Sequence, residues 1–420
     1  MTVDSTAPTA GGARIPGLAR RAAGITGSVI DSSTSLLERQ SHDIVRFAMG
    51  SPAPEAIPAP AFAELLPAVL GQGSSRAFDY GRTEGEPAFV DALLPFLGAW
   101  GIAATAEETI VTAGGMQGLD LAAKLLVDPG DLVLVESPTY TNGTATIASY
   151  EGDMVEVPVD HDGMVVERLP ELVAAAGREP KLIYVIPNFQ NPSGTTLSLE
   201  RRRRLVELAV EWHAVILEDD PYGMLRFAGD HVPGLRQLSG GAPNVISVYT
   251  LSKILAPGLR LGWVVADPAI VARMIDAKQG MDTCANVPLQ WLAAAFIGGG
   301  GMDAHLEALR ETCRSHKQGM TDALAHELGD GAVSWTDPEG GFFLWLTFGE
   351  HVATTELAEI AIAEGVAFIP GKAFSVGGRF ENALRLSFAT NPPERTAEGV
   401  RRLRQALDRA YGDSWRNLKG

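Results

Sequence analysis

The middle of the chain alternates short apolar runs with longer segments of helical periodicity, a pattern typical of a mostly parallel sheet with helices between its strands. Apolar runs predict strands at residues 110–112, 132–136, 182–186, 215–217 and 245–249. Helices are predicted at residues 117–127 and 200–212. Polar clusters follow several of these strands, and open α/β sheets bind ligands at the carboxyl ends of their strands. The sequence therefore predicts an α/β fold with a ligand site at this edge.

The C-terminal part of the chain has a different pattern, without the regular alternation of strand and helix. Strands are predicted at residues 341–346, 366–369 and 383–388, and helices at residues 354–363 and 393–411. We interpret this part as a smaller α+β domain that begins near the glycine run at residues 298–301. The 420 residues exceed the roughly 250–300 at which single cores stop growing. The predicted division is an N-terminal arm and helix at 1–45, a large domain at 46–300 and a small domain at 301–420.

The composition argues against several other classes of protein. The formal net charge of −17 disfavours nucleic acid as a partner, because an acidic surface repels phosphate. Two cysteines without CxxC spacing and eight histidines without ligand spacing predict neither disulfides nor a metal site. No run approaches the ~20 apolar residues of a membrane helix, and the N-terminus lacks the apolar region of a signal peptide. We expect a cytoplasmic protein.

Lys253 and Asp219 are the first candidates for chemistry. Lys253, one of seven lysines, follows the strand predicted at 245–249 inside a small polar turn. Burial favours the neutral form of an amine, which is nucleophilic toward carbonyl groups. Asp219 ends another apolar run, where a carboxylate needs a partner such as a protonated pyridine nitrogen. A lysine in a salt bridge and an ordinary acid at a strand end are the alternative interpretations.

Three further features carry polar groups into the same region. The loop at 188–194, NFQNPSG, holds four amide or hydroxyl side chains. The turn at 112–118, TAGGMQG, joins a strand to a helix, and bare N–H groups at the start of a helix attract phosphate. Arg260 and Arg385 lie between apolar residues in the strand-like contexts LRLGW and LRLSFA, where a guanidinium pairs with carboxylate or phosphate. Simple turns and internal salt bridges remain the alternatives.

Five segments resemble, in order and spacing, motifs of the class I and II aminotransferases of fold type I. They are YGRTEG, NPSG, DDPYG, SKILAPGLRLGW and LRLSFA, and the resemblance extends from about residue 47 to residue 411. The branch that contains 2-aminoadipate and kynurenine aminotransferases looks most similar. The resemblance implies a large domain built on a mostly parallel seven-stranded sheet, a smaller α+β domain, and pyridoxal 5′-phosphate as the cofactor.

The resemblance also implies a role for each residue that matches a motif. Lys253 is expected to hold the cofactor as a Schiff base, Asp219 to pair with its pyridine nitrogen, and Tyr222 to hydrogen-bond its phenolic oxygen. The other residues expected to bind the cofactor are Gly115, Met116, Gln117, Tyr140, Asn191, Thr250, Ser252 and Arg260, with Tyr80 from the neighbouring subunit. Those expected to bind the substrate are Arg385, Asn191 and Gly50. This branch often has a hydroxyl and a glutamine where Gly115 and Met116 stand, so we expect those side-chain contacts to be lost.

The implied reaction moves an amino group from an L-α-amino acid to a 2-oxo acid through pyridoxamine phosphate, with 2-oxoglutarate as the expected acceptor. A homodimer with shared active sites is implied by Tyr80, and Asn286 is a weaker match to a residue that faces the partner's cofactor. The side chain of the donor stays open between aromatic, aliphatic and acidic. One alternative is another fold type I reaction, such as an oxidase, lyase or cyclising synthase. Another is a non-catalytic sensor fused to a DNA-binding module, which the acidic charge disfavours.

Overall fold

The structure, a computed structural model, describes residues 42–71, 74–329 and 331–416 and, before them, residues 17–19, 21, 22, 25 and 27. Almost all of the predicted N-terminal arm and helix, residues 1–45, therefore lies outside the described residues. Within the described ranges, no helix has both the length and the apolar character that crossing a membrane requires.

The strands of the described residues form one large sheet and two smaller ones. They are β1 (Val45–Arg46), β2 (Thr109–Thr112), β3 (Leu132–Ser137), β4 (Asp153–Asp160), β5 (Gly163–Met164), β6 (Leu182–Val185), β7 (Val215–Asp219), β8 (Val245–Thr250), β9 (Gly262–Val265), β10 (Ser334–Trp335), β11 (Phe343–Thr347), β12 (Val366–Ala367), β13 (Ile369–Pro370) and β14 (Ala383–Ser387). The large sheet has eight strands in the order β2-β9-β8-β7-β6-β3-β4-β5. From β8 to β4 in this order the strands run parallel, whereas β9 is antiparallel to both neighbours and β5 is antiparallel to β4. The seven strands that the resemblance implies correspond to this sheet without the two-residue β5.

Helices cover both faces of the large sheet and continue into the C-terminal part. They are α1 (Ala59–Gly71), α2 (Pro87–Ala99), α3 (Gly115–Leu126), α4 (Thr141–Ser149), α5 (Leu169–Ala176), α6 (Leu199–Glu211), α7 (Leu235–Leu238), α8 (Leu251–Ile254), α9 (Pro268–Gln279), α10 (Val287–Gly298), α11 (Gly301–Leu328), α12 (Thr354–Ala363) and α13 (Pro393–Tyr411). Side chains alternate between the faces of a strand. Val248 and Val264 accordingly pack with α3 and α9, whereas Tyr249 and Trp263 pack in the layer of α2, α10 and α11.

The C-terminal part is built on a four-stranded antiparallel sheet in the order β10-β11-β14-β13. The short β1 pairs in parallel with β12, and the backbone oxygen of Phe47 accepts a hydrogen bond from Ser387 N at 2.8 Å. These contacts join the start of the continuous described chain to the C-terminal sheet, and they place the residues after Phe47 beside β14. The predicted boundary near residue 300 falls between α10 and α11, and the division into domains stays a prediction.

Candidate active site

A cavity of about 400 Å³ lies at the carboxyl ends of β7 and β8, with the C-terminal sheet on its other side. It brings together most of the residues that the sequence singled out, namely Gly50, Gly115, Met116, Tyr140, Asn191, Asp219, Tyr222, Thr250, Ser252, Lys253, Arg260 and Arg385. These residues come from strand ends, loops and the first turns of helices in the large-sheet part of the chain, except for Gly50 and Arg385. The predicted edge of the sheet is therefore the place where they meet.

Lys253 enters the cavity from α8, which follows β8 directly. Thr250 begins this short helix, and its hydroxyl accepts a hydrogen bond from Ser252 N at 3.1 Å. Lys253 Nζ donates a hydrogen bond to the backbone oxygen of Gly50 at 2.6 Å. A Cβ at position 50 would lie 2.9 Å from the Phe343 ring and 3.9 Å from Lys253 Nζ. The absence of a side chain at Gly50 thus lets the N-terminal segment approach the amine.

Asp219 is the last residue of β7, and its side chain is almost fully buried. Burial raises the pKa of its carboxyl to about 7, while the hydrogen bond from Tyr184 and the charge of Lys253 act in the opposite direction. The donor is the hydroxyl of Tyr184, 2.8 Å from Asp219 Oδ2. Tyr184 pairs with Leu217 in the β6–β7 register, so alternation puts Tyr184 and Asp219 on one face. A buried carboxylate of this kind gains from a cation brought beside it.

Donors for an anion surround the start of α3. This helix has no side-chain cap, and Gly114 at its N-terminus has a φ of 86°, which a side chain rarely adopts. The hydroxyl of Ser252 accepts from Thr250 Oγ1 at 2.9 Å and from Arg260 Nη1 at 3.3 Å. Arg260 Nη2 reaches the backbone oxygen of Ala113 at 3.3 Å. Free helix N–H groups, hydroxyls and a guanidinium form a donor set that suits a phosphate.

Arg385 lies in β14 on the opposite side of the cavity and is 1% exposed. Its Nη1 donates to Asn191 Oδ1 at 2.9 Å and its Nη2 to the backbone oxygen of Ala48 at 2.6 Å. The guanidinium carbon lies 4.2 Å from the centre of the Phe343 ring. Burial lowers the pKa of Arg385 to about 10.

The Nε of Arg385 is buried and has no hydrogen-bond partner, and no carboxylate in the described ranges lies within ion-pair distance of this guanidinium. A buried cation without a charged partner is costly in free energy. This side of the cavity is therefore complementary to an incoming anion.

Tyr222 and Tyr140 supply the aromatic walls. Tyr222 packs edge-on against Phe342 and Phe343, with ring centres 5.5 and 5.8 Å apart. Burial raises the pKa of Tyr222 well above its ordinary value, so the hydroxyl stays a donor. The Tyr140 hydroxyl lies 3.6 Å from the sulfur of Met116. Met116, which we expected to bind the phosphate of the cofactor, therefore also contacts the aromatic side chain of Tyr140.

Three predicted residues are not brought into the cavity of this chain. The side chain of Gln117 faces away, because its Oε1 accepts from Lys278 Nζ at 3.0 Å and its Nε2 donates to Asp282 Oδ2 at 2.8 Å. Lys278 is fully buried and needs these acceptors, so only the backbone of Gln117 remains near the start of α3. The side chain of Tyr80 is 83% exposed, and Asn286 caps α10 through Leu289 N. The predicted contacts of Tyr80 and Asn286 involve a second subunit and stay predictions.

Sequence reasoning did not identify Glu136, a buried acid at the end of β3. Its Oε2 accepts from Ile186 N at 3.0 Å and from Gln190 Nε2 at 3.3 Å. Burial raises the pKa of Glu136 to about 8. The available signal was an acid directly after the apolar run at 132–135, the same signal that identified Asp219. Through Ile186 and Gln190, Glu136 holds the loop that carries Asn191. Asn191 is in turn a hydrogen-bond partner of Arg385.

The chain is similar to known proteins both in sequence and in structure. Residues 43–403 match the family described as aminotransferase class I and II. The chain is 36% identical to aromatic-amino-acid aminotransferase 1 of Thermococcus litoralis, over 92% of this chain and 93% of that protein. It is also 36% identical to 2-aminoadipate transaminase of Thermus thermophilus, over 91% and 94%. The crystal structure of Pyrococcus horikoshii kynurenine aminotransferase, in complex with PMP, is similar with a TM-score of 0.87 and 34% identity, over 94% of this chain and 97% of that one.

Proposed function

The chain belongs to the class I and II aminotransferases, and from this premise we propose that Lys253, Asp219 and Tyr222 are its catalytic residues. It is a pyridoxal-phosphate-dependent enzyme that transfers an amino group between an amino acid and a 2-oxo acid. The observation that supports these residues is their position in one cavity, between a donor set for phosphate and an arginine that lacks an acidic partner.

The residues of the cavity fit pyridoxal 5′-phosphate. The phosphate would accept hydrogen bonds from the N-terminus of α3, Thr250, Ser252 and Arg260, and the ring would lie against Tyr140. The pyridine nitrogen would face Asp219, and the phenolic oxygen would face Tyr222 and Asn191. When bound, the cofactor supplies an electron sink that stabilises negative charge on the Cα of the substrate.

Asp219 tunes the electron sink by keeping a proton on the nitrogen that it faces. A cation beside Asp219 offsets the cost of burying the carboxylate, which lowers the pKa of Asp219 and favours the ion pair. The Tyr184 hydrogen bond favours the same charged form and fixes the orientation of the carboxylate. Tyr184 is therefore a positioning residue.

Lys253 moves the proton. Its Nζ takes a proton from the Cα of the bound amino acid as a general base. The resulting ammonium group then holds this proton and gives it back as a general acid. The backbone oxygen of Gly50 holds the amine at 2.6 Å when it is not engaged in chemistry. Substrate binding through Arg385 fixes which bond of Cα faces Lys253, and this orientation selects the bond that breaks.

Arg385 binds the α-carboxylate. The unpartnered Nε and the lowered pKa of Arg385 support this role, because a substrate carboxylate would supply the missing acceptor. Asn191 holds Nη1 in place and faces the same region of the cavity. We propose donors of the classes named by the relatives, aromatic amino acids, 2-aminoadipate and kynurenine, with 2-oxoglutarate as the acceptor.

The assembly and location are also proposals. Tyr80 has an exposed aromatic side chain in a motif that the family uses across subunits, which supports a homodimer with shared sites. The two cysteines of the chain, with no disulfide between them, support a cytoplasmic location. The division into a large domain from residue 46 to 300 and a small one from residue 301 is part of the same proposal.

The test is a titration of the purified, cofactor-loaded protein with L-glutamate, phenylalanine, kynurenine and 2-aminoadipate, followed by visible absorption and by chromatography of the products. We expect an amino acid to yield its 2-oxo acid, and 2-oxoglutarate to restore the starting spectrum. Lys124, an exposed residue of α3, gives the matched control for Lys253. Lys124→Ala should behave as the unmodified protein, and Lys253→Ala should give no product. Spectral changes without a 2-oxo acid would assign another reaction of the fold.

A further inference from the structure

A second cavity lies on the other face of the large sheet from the active site. Its volume is about 490 Å³, within the range of pockets that bind small molecules. Tyr249 and Trp263 line it, and both face away from α3, as their packing shows. The rest of its apolar wall comes from Trp100, Ile102, Met224 and Ile254. The wall is thus aromatic and aliphatic over most of its extent.

The two cavities share the segment that carries the catalytic acid. Asp219 lines the active-site cavity, and the next residue, Asp220, lines the second one. Pro221 and Thr250 line both. A molecule in the second cavity would therefore press on the back of the loop between Asp219 and Tyr222.

The acids of the second cavity are already satisfied by the protein. Asp220 accepts from Asn188 Nδ2 at 3.0 Å and from Gly223 N at 2.8 Å. Asn188 in turn accepts from the buried Arg202 at 2.6 Å. Glu108 is paired with Arg236 at 2.7 Å. These acids do not require a cationic ligand.

The guanidinium of Arg310, at the mouth of the second cavity, differs from these acids because the protein satisfies it only in part. A surface groove shares Trp100, Gly223, Arg226 and His231 with the second cavity, and Arg310 of α11 lies in it. Arg310 Nε donates to the backbone oxygen of Met224 at 3.0 Å, and its guanidinium lies 4.9 Å from the centre of the Trp100 ring.

The two terminal nitrogens of Arg310 make no hydrogen bond to any described residue, and no carboxylate of the described chain is within ion-pair distance. Burial lowers the pKa of Arg310, and the more distant carboxylates of Glu307 and Asp303 act in the opposite direction. By contrast, Arg226 beside it is paired with Glu339 at 2.6 Å. A half-buried guanidinium with two free donors, stacked on an aromatic ring, is suited to a carboxylate.

We propose that this second cavity binds a small organic carboxylate with an aromatic or branched apolar body, whose carboxylate contacts Arg310 while its body contacts Trp100, Ile102 and Tyr249. Its occupant modulates the active site through the shared segment at residues 219–222. The guanidinium of Arg310 at the mouth, unpaired within the described chain, and the apolar walls behind it point to the same amphipathic anion. The second cavity is separate from the substrate site, where Arg385 has the corresponding role.

The probe is 3-phenylpropanoate, which has a ring and a carboxylate but no amino or oxo group, so transamination cannot consume it. Calorimetric titration of the cofactor-loaded enzyme should give two classes of site, one of them at Arg385. Arg310→Gln should weaken the other class by about ten-fold or more, because hydrogen bonds to a charged group are among the stronger ones. The matched control is Arg314→Gln, since Arg314 lies one turn later on α11 and already pairs with Glu311. This control should keep both classes.

A second variant tests the inner wall and leaves Arg310 in place. Ala104→Trp fills the second cavity, which Ala104 lines, and should remove the same class of site. In initial-rate measurements, the effect of 3-phenylpropanoate should persist at saturating amino acid in the unmodified enzyme and disappear in Arg310→Gln. A single class of site that neither variant alters, or an effect that saturating amino acid abolishes, would overturn the proposal.

Discussion

The two sides of the active-site cavity are built in different ways. On the proposed cofactor side, Asp219 and Tyr222 are three positions apart, and the residues from Thr250 to Arg260 come from one strand end and the turn after it. On the proposed substrate side, Arg385 is held by Ala48 and Asn191 and packs against Phe343, which come from three separate regions of the chain.

This difference has a consequence for function. The proposed cofactor side depends on the geometry of one sheet, which is the same for every substrate. The substrate side depends on contacts between the C-terminal sheet, the N-terminal segment and a loop. Changes on the first side should slow every reaction equally, whereas changes on the second should alter affinity and the choice of substrate.

The largest effect is expected for Lys253→Ala. Without the amine, the proton on the substrate Cα loses its proposed acceptor, and kcat should fall at least about 10³-fold with every amino acid tested. Single-turnover measurements with two different donors check whether the loss is uniform. A loss of activity that depended on which amino acid is the donor would contradict the expectation that changes on the cofactor side slow every reaction equally.

Asp219→Asn should reduce kcat by about 10²–10³-fold, the range for removal of one preorganised electrostatic partner. The matched control is Asp220→Asn, which changes the neighbouring acid on the other face of the sheet. The control should retain activity within about five-fold, because its carboxylate does not face the cofactor. Steady-state kinetics of both variants give the answer, and equal losses would contradict the separation of the two faces.

Arg385→Lys should act mainly on KM. A lysine keeps the charge but loses the two-pronged geometry, so the KM for the amino acid should rise about 10- to 100-fold. The absorption spectrum and cofactor content of the variant should match those of the unmodified enzyme. A fall in cofactor affinity without a change in KM would place Arg385 on the cofactor side instead.

The smallest effect concerns the pH dependence of stability without cofactor. Burial raises the pKa of Asp219 from 3.8 to about 7, so the folded chain keeps a proton that the unfolded chain releases above about pH 4. The stabilising contribution of Asp219 to the free energy of unfolding is therefore fully present below about pH 4. It is lost as the pH rises toward 7. Glu136, with its pKa raised to about 8, acts in the same direction.

Thermal melts of the cofactor-free protein at pH 5 and pH 8 test this pH dependence. The unmodified protein should lose more stability than Asp219→Asn over that interval, by on the order of 1–3 °C in Tm. Addition of pyridoxal 5′-phosphate should reduce the difference in Tm loss between the two proteins. The reason is that the protonated pyridine nitrogen of the cofactor would favour the ionised form of Asp219. Parallel pH profiles for the two proteins would show that Asp219 does not titrate in this range.

Sequence patterns predicted much of the large sheet. The strand expected at 245–249 is β8, and the helices expected at 354–363 and 393–411 have those bounds in α12 and α13. β9 was predicted only as the strand-like context LRLGW and without bounds, because its GWVV run is short and lies inside a segment interpreted as a motif. The polar groups at the ends of β7 and β8 were found because an acid or lysine after an apolar run stands out.

Other features of the site have no local signal. Tyr184 looks like any aromatic residue of a buried strand, and its bond to Asp219 depends on the β6–β7 register. The side chain of Gln117 matches a motif, yet the buried Lys278, 161 positions away, takes its oxygen. The backbone oxygen of Ala48 becomes a partner of Arg385 through the pairing of β1 with β12 and the hydrogen bond between Phe47 and Ser387. Such contacts arise from tertiary packing, which one sequence does not specify at the level of single residues.

Because Asp219 and Asp220 are adjacent and line different cavities, insertions and deletions of single codons in β7 should not be tolerated. Because side chains alternate, loss or gain of one codon within β7 would turn Asp220 toward the catalytic cavity and Asp219 away from it. A slip of this kind leaves both acids in the sequence and exchanges their surroundings. Point substitutions in β7 can be sampled singly in a mutant library, but single-codon insertions and deletions between Val215 and Asp219 should be absent from active clones.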